Sequence, residues 1–235
     1  AGIVRLSPER FLFDVSEEEF ALLQKLSRAD NMITLKGKAS FALGIVTGNN
    51  EKHLQKQKMD GCEPILRGTD IERFRIKETA SYICFSPAKY QQIAPIELYR
   101  AKEKLLYRFV GERPVFAYDN KQRLTLNSCN IVIPSVEGLD MRYIMAVFNS
   151  RVIGFWHRRY NHSMKLLRTH IEGFPIPVAS SGQQQEVIRL VDLLQDSGQN
   201  AEEQNCIYEQ LDAKITELFG LTDKEYELVK QIDNI

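Results

Sequence analysis

The stretch LDMRYIMAVFNSRVIGFWHR, residues 139–158, carries the clearest secondary-structure signal in the chain. Its apolar residues recur at helical spacing, which predicts one helix, or two helices broken near Asn149-Ser150. The segment CNIVIPS, at 129–135, lies just before it and reads as a strand. The sequence therefore predicts a strand that is followed directly by a helical segment in the middle of the chain.

Helices and strands are also predicted on the N-terminal side of this stretch. Ser16 and Glu19 form a capping box in a predicted helix over 14–29, and a second helix is predicted over 95–109. Four further segments have the alternating or β-branched pattern of extended structure: 32–50, 71–76, 81–87 and 114–119. The polar segment NKQRLTLNS, at 120–128, is expected to form a hairpin or loop.

Helical patterns dominate after the connector FPIP at 174–177, whose prolines exclude a helix there. Helices are predicted over 183–196, 206–220 and 223–232, and Gly220 is well placed to end the second. The sequence thus predicts an α+β fold with two parts. Residues 1–177 form an α/β domain with a mixed, twisted β-sheet, and residues 178–235 form a C-terminal helical section.

The composition is that of a globular protein, with 235 residues, 43% apolar and 26% charged. No apolar run approaches the ~20 residues of a membrane span, and the start shows no signal peptide. Because the chain does not begin with Met, an expressed fragment is expected. Its cysteines show no C-x-x-C pair and are expected to be isolated, buried thiols in a reducing cytoplasm; they are Cys62, Cys84, Cys129 and Cys206.

The charge is unevenly distributed, although the formal net charge is zero. Residues 61–172 carry 18 basic and 11 acidic side chains, whereas residues 173–235 carry 4 basic and 12 acidic ones. A basic middle beside an acidic tail is a hint of a surface that binds a polyanion. Solvated faces that differ in charge would give the same pattern, so both interpretations stay open.

The common catalytic and metal-binding motifs are missing from the sequence. It has no glycine-rich nucleotide loop, no phosphate loop, no G-x-S-x-G elbow and no H-E-x-x-H pair. His157, His162 and His170 are spaced so that His157 and His162 would not share a helix face well, and the first nearby carboxylate is Glu172. We therefore expect neither catalytic residues nor a metal site.

The basic residues of the chain are concentrated around GFWHRRYNHSMKLLRTH, residues 154–170. Between Met141 and Thr169 there are six basic residues and no acidic one: Arg142, Arg151, Arg158, Arg159, Lys165 and Arg168. Arginine and lysine neutralise phosphates, which predicts a negatively charged partner. The alternative is a basic loop packed against the acidic tail of the same molecule. Trp156 and Tyr160 are expected in the core rather than as stacking platforms.

The order of several segments resembles the TaqI-like C-terminal specificity domain. That domain is the target-recognition part of adenine-specific DNA methyltransferases and fused restriction–modification enzymes. The sequence is also similar to the target-recognition domains of type I specificity subunits. The segments that carry the resemblance are GIVTGNN (44–50), EPILRGTDIERFRI (63–76), CNIVIPS (129–135), YIMAVFNSRVIGFW (143–156), FPIPVASSGQQQEVIRLVDLL (174–194) and LDAKITELFGLTDKEYELV (211–229).

The resemblance implies a DNA specificity module without catalysis of its own. Enzymes of this kind carry a methyltransferase domain with a glycine-rich cofactor loop and an Asn-Pro-Pro-Tyr type motif that holds the flipped adenine. Neither motif occurs here. The implied cofactor, S-adenosylmethionine, would belong to the methyltransferase domain of a longer parent protein. The implied partners are double-stranded DNA and that domain, in a bacterial or archaeal cytoplasm and without a membrane.

The expected DNA contacts lie in three segments. The turn TGNN can bring backbone amides and amide side chains close to nucleic acid, and Arg67 places a guanidinium on a turn beside Gly68. For Arg67, a salt bridge to Asp70 or Glu72 is the alternative. The predicted contact residues are Thr47, Asn49, Asn50, Lys52, Arg67, Arg158, Arg159, Asn161, His162, Lys165 and Arg168.

Two other functions stay open at the level of sequence. The chain could be an interaction module whose basic face meets an acidic protein, or a nuclease with an unrecognised site. The absence of clustered carboxylates in the sequence argues against two-metal phosphodiester chemistry.

Overall fold

The computed structural model describes residues 2–7, 10–161, 163–197 and 200–233. Helices lie at Glu17–Arg28 (α1), Asn50–His53 (α2), Ile96–Tyr99 (α3), Met141–Phe148 (α4), Arg151–Asn161 (α5), Arg168–Glu172 (α6), Ser181–Asp196 (α7), Ala201–Leu218 (α8) and Asp223–Asp233 (α9). Strands lie at Gly2–Ser7 (β1), Arg10–Val15 (β2), Met32–Ile33 (β3), Ala39–Ala42 (β4), Leu54–Gln55 (β5), Glu63–Leu66 (β6), Ile71–Glu72 (β7), Arg75–Ile76 (β8), Tyr82–Ile83 (β9), Lys104–Arg108 (β10), Phe116–Asp119 (β11), Leu124–Thr125 (β12), Cys129–Pro134 (β13) and Ile176–Pro177 (β14).

The centre of the molecule is an antiparallel sheet in the order β11-β10-β13-β4. Successive side chains of a strand point to opposite faces, so each strand feeds two apolar layers. Leu105 and Val132 join the core that also contains the helices, whereas Leu106 and Ile131 join a second core. The central sheet thus separates a helical layer from a smaller layer of strands.

The smaller layer is a four-stranded sheet in the order β12-β6-β9-β5. Strands β12 and β6 are parallel, and the other pairs are antiparallel. Ile65, Ile83 and Leu124 are buried in its apolar core. This sheet and its loops contain the segments 44–52 and 63–72, where the sequence predicts contacts with DNA.

The helical layer begins with α4 and α5, which are separate helices, so the two-helix interpretation of residues 139–158 is correct. The break is fixed by Asn149, whose side chain forms a reciprocal pair of 2.9 Å hydrogen bonds with the backbone of Phe116. Because the Asn149 side chain bonds to β11 in this way, it anchors the junction between α4 and α5 to the central sheet. The next residue, Ser150, donates to Val147 O at 2.7 Å.

The C-terminal helices α7, α8 and α9 pack on α4 and α5 in the same apolar core. Asp212 of α8 is fully buried and accepts a 2.9 Å hydrogen bond from the backbone N–H of Arg151. The guanidinium of Arg151 also pairs with Glu209 and Asp212. Strands and helices in one molecule confirm the α+β class, while the division into domains at residue 177 stays a prediction. None of the helices in the described part of the chain has the length and apolar character to cross a membrane.

Two predicted elements are wrong in detail. Residues 95–109 contain only the short helix α3, and the predicted C-terminal half of that helix is strand β10. Pairing with β11 and β13 buries Leu105 and Leu106 on opposite sides of the central sheet, which outweighs helix propensity. Residues 71–76 form a tight hairpin of β7 and β8 rather than one strand, and Phe74 has a positive φ of 68° at its turn.

The expectation of four isolated, buried thiols is also wrong. Cys62 and Cys84 form a disulfide, because they flank the paired strands β6 and β9 and therefore lie side by side. Cys129 is a buried free thiol, as expected, but Cys206 is exposed on α8. Partners that are 22 residues apart in sequence become neighbours only through the sheet register.

Candidate nucleic-acid interface

The segment from Leu124 to Cys129 lies at the centre of the candidate interface. On one side, Ile45 N donates to Thr125 O at 2.7 Å and Asn127 N donates to Ile45 O at 3.2 Å. On the other side, Leu126 N donates to Leu66 O at 2.8 Å. The segment thus holds the turn after Ile45 and the turn after Leu66 against the same short piece of chain.

Two glycines permit this close approach of the chain segments. A Cβ atom on Gly44 would lie 2.1 Å from Leu126 O, and one on Gly68 would lie 2.4 Å from Ser128 O. Gly68 N donates to Ser128 Oγ at 3.0 Å. Any side chain at either glycine would push the segments apart, since backbone atoms occupy the space.

The Thr47–Lys52 turn is only partly available to a ligand. Thr47 is buried and its hydroxyl donates to Asn50 Oδ1 at 2.7 Å. Asn49 is exposed and caps α2 by accepting from Lys52 N at 3.0 Å. Thr47 therefore shapes the turn, while the amide groups of Asn49 and Asn50 and the ammonium of Lys52 are exposed.

Arg67 is exposed at the start of the turn Gly68–Asp70. Its Nε donates to Ser81 Oγ at 3.0 Å, and its backbone N–H donates to Asp70 Oδ2 at 2.8 Å. Among the described residues no ion pair joins Arg67 to Asp70 or Glu72, and Glu72 pairs with Lys77 instead at 3.1 Å. The guanidinium is therefore oriented by a neutral hydroxyl and keeps its full charge for a ligand.

Another arginine, Arg108, bonds to the backbone of the turn that carries Arg67. Its guanidinium donates to Gly68 O at 3.1 Å and to Ile71 O at 2.6 Å. Arg108 ends strand β10 of the central sheet, so the turn is fixed to the most buried part of the fold. Arg67 thus lies on a rigid support, which favours specific recognition.

The basic stretch reaches the same edge through Lys165. Phe109 N donates to Ser128 O at 3.0 Å, and Leu166 N donates to Phe109 O at 2.8 Å. Lys165 itself bridges to Val110 in antiparallel pairing and is exposed. The structure therefore brings Lys165 and the Arg67 turn to two sides of Ser128.

Several other cations of the basic stretch are already paired with carboxylates. Arg142 pairs with Asp192, and Arg151 pairs with Glu209 and Asp212, so for these two the alternative of packing against the acidic tail is correct. The other pairs are Arg159 with Glu19 and Arg168 with Glu172. Residues 141–169 contain no acidic residue, but carboxylates from other parts of the chain pair with several of their basic side chains.

The remaining predicted residues lie around the end of α5. Asn161 Nδ2 donates to His157 Nδ1 at 3.1 Å, and His157 Nε2 donates to Ser163 O at 3.2 Å. Burial, together with nearby His170, lowers the pKa of His157 to about 4, so its ring is neutral. Arg158 lines a cavity of 310 Å³ beside His157. His162 lies outside the described residues.

Trp156 is buried, as predicted, and stacks on Tyr160 with ring centroids 4.5 Å apart. In the part of the chain that is described, no three His, Cys, Asp or Glu side chains come together in a way that could hold a metal ion.

The sequence does not single out the neutral residues that lie between the predicted contacts. Asn127 and Ser128 are exposed between Arg67 and Lys165, and Val110 lies opposite Lys165. The signal was present in the polar segment 120–128, but its position beside the other two segments depends on the parallel pairing of β12 with β6.

Comparison with known proteins gives a family and a set of similar folds. Residues 63–176 match the model of the TaqI-like C-terminal specificity domain. The type IIL restriction-modification enzyme MmeI, solved in complex with DNA, superimposes with a TM-score of 0.57 at 10% identity over 83% of this chain and 36% of that chain.

Two further structures are more distant. A structure of a type I restriction–modification system has a TM-score of 0.49 at 11% identity, over 86% of this chain and 52% of that chain. The HsdS subunit from Thermoanaerobacter tengcongensis has a TM-score of 0.45 at 13% identity, over 86% of this chain and 51% of that chain. The chain spans between about a third and a half of these structures' lengths. Residues 63–176 are thus similar to the TaqI-like C-terminal specificity domain, the family that the sequence resembles.

Proposed function

We propose that this chain is a sequence-specific DNA recognition module of a restriction–modification system. The observation that carries the proposal is the arrangement around residues 124–129. These residues bond to Ile45, just before the Thr47–Lys52 turn, to Leu66 and Gly68 at the Arg67 turn, and to Phe109, which in turn bonds to Leu166 beside Lys165. Each of the three segments has an exposed basic side chain: Lys52, Arg67 and Lys165. The family match and the fold shared with MmeI, which was solved with DNA, support the same function.

The exposed groups suit two different tasks in DNA recognition. Lys52 and Lys165 are mobile point charges that can neutralise phosphates in any sequence. Arg67 has a planar guanidinium on a rigid turn, and such forks can bond the O6 and N7 atoms of guanine. Asn49 and Asn50 can donate to or accept from base edges in the same groove. The lysines would supply affinity, and the turn residues would supply sequence preference.

The parent protein is proposed to be an adenine-specific DNA methyltransferase of type II, in the cytoplasm of a bacterium or archaeon. Its methyltransferase domain would bind S-adenosylmethionine and receive the flipped adenine, while this chain positions the DNA. The chain alone is proposed to bind no S-adenosylmethionine, and micromolar binding in a calorimetric titration would contradict this role.

Selection from a pool of randomised DNA duplexes tests the proposal. The chain should enrich one defined motif, and Arg67→Ala should relax the preference at a single position at a cost of about 1–3 kcal/mol. Lys224→Ala is a matched control, because Lys224 is 82% exposed on α9 and pairs with Glu18 away from the candidate edge. A pool that stays random after repeated rounds would contradict sequence-specific recognition.

A further inference from the structure

We propose that Val110 forms an apolar contact with a thymine methyl group in the DNA major groove. The proposal rests on the proposed function and adds a residue that would distinguish A·T pairs. The side chain of Val110 is apolar yet 50% exposed. It lies on one of two short segments that pair beside the Arg67 turn.

The two segments form a narrow antiparallel ribbon. Gly111 N donates to Met164 O at 2.9 Å and Leu166 N donates to Phe109 O at 2.8 Å. These bonds flank Val110 and Lys165, which makes them a directly opposed pair without hydrogen bonds of its own. In such a pair the two side chains lie close together on one face. A hydrophobic group and a cation are thus presented side by side.

The ribbon is held firmly from inside the molecule. Leu166 is only 3% exposed and belongs to the main apolar core. Ser163 Oγ accepts from Lys165 N at 3.0 Å and donates to Lys165 O at 3.1 Å, while the buried His157 donates to Ser163 O. The exposed side chains of Val110 and Lys165 thus stay accessible when the ribbon folds. The ribbon holds them in position for a partner molecule.

The surroundings favour DNA over an apolar protein surface. Lys165, which lies directly opposite Val110, is exposed and has no carboxylate partner in the described part of the chain. The major groove admits a two-stranded ribbon and offers one apolar group, the C5 methyl of thymine, close to phosphates. An apolar side chain next to lysine matches that combination.

The test uses the 235-residue chain and the duplex that it enriches from the randomised pool. Each thymine of that duplex is replaced in turn by uracil, which removes only the methyl group. At least one replacement should weaken binding of the wild-type chain about fourfold, the value for one buried methyl. Val110→Ala should lose this discrimination, so that thymine and uracil duplexes bind equally, whereas Met164→Ala, on the opposite face of the ribbon, should keep it.

Val178→Ala is the matched control, because Val178 is 54% exposed but lines a cavity that contains no residue of the ribbon. It should keep the fourfold ratio, and circular dichroism should show all variants folded. If the wild type binds thymine and uracil duplexes equally at every position, or if Val110→Ala keeps the wild-type ratio, the thymine contact is wrong while the proposed function stands. If no duplex is enriched, both proposals fail together.

Discussion

The Arg159 guanidinium donates a hydrogen bond of 2.6 Å to Glu19 Oε1, across 140 residues of sequence. Glu19 is also the acidic partner in the capping box of α1, where its other oxygen accepts from Ser16 N at 2.9 Å. One buried carboxylate thus caps the first helix and neutralises a cation of α5. Arg159 was predicted to face DNA, but its position gives it a structural task.

Replacing Arg159 with alanine should therefore lower stability. The change leaves the Glu19 carboxylate, 6% exposed, without its cation, at an expected cost of about 1–3 kcal/mol in the free energy of unfolding. Arg168→Ala is the control, because Arg168 is 63% exposed in its pair with Glu172 and should change stability by less than about 0.5 kcal/mol. Urea denaturation measures the free energy of unfolding of both variants. A loss of less than about 0.5 kcal/mol in both would mean that the Arg159–Glu19 pair does not stabilise the protein.

Gly68→Ala should disturb the recognition turn without a change of charge. Its Cβ would lie 2.4 Å from the backbone oxygen of Ser128, so the turn and the 124–129 segment must separate. We expect a loss of about 1–3 kcal/mol in stability, together with weaker DNA binding. Gly182→Ala meets no atom within 4 Å in α7 and should be neutral or stabilising. Wild-type stability of Gly68→Ala would show that the close approach is unimportant.

Removal of the disulfide should destabilise the small sheet. Cys62 and Cys84 close a loop with a sequence separation of 22, for which chain entropy predicts a loss of about 3 kcal/mol on replacement of both by serine. Cys206→Ser, on the exposed surface of α8, should leave the free energy of unfolding unchanged. Denaturation with and without a thiol reductant provides the measurement. A double serine variant as stable as the wild type would contradict the prediction.

Stability should fall on acidification because of His157. Its pKa in the folded chain is about 4, below the ordinary value of 6.5, so the unfolded chain binds the proton more readily. The neutral ring's contribution is complete above about pH 6.5 and is lost progressively towards pH 4, by about 3 kcal/mol at most. His157→Gln should lose stability at neutral pH but flatten this dependence. A variant with the wild-type pH dependence would assign the effect to other groups.

The sequence predicts an element of the fold when the residues that determine it lie close together along the chain. The Asn149-Ser150 break, the capping box of α1 and the C-terminal helices follow from residues within one or two turns of each other, and they were predicted. At strand β10 the sequence predicts a helix, because the two buried faces of this strand are created by pairing with β11 and β13 and not by local sequence.

The candidate interface shows the same limit. The basic residues were visible in the sequence, but the carboxylates that pair with Arg142, Arg151 and Arg159 come from α7, α8 and α1. The exposed cation Lys165 could not be told from these paired ones by local sequence. Asn127, Ser128 and Val110 were missed because their position depends on strand pairing alone.

The most direct test of the account is the salt dependence of duplex binding by the intact chain. The logarithm of the binding constant for a mixed-sequence duplex should fall linearly with the logarithm of salt concentration. Lys52→Ala and Lys165→Ala should each reduce the slope by about one unit, while Lys224→Ala keeps the wild-type slope. Absence of duplex binding, or lysine variants that retain the full slope, would contradict DNA recognition by this edge of the molecule.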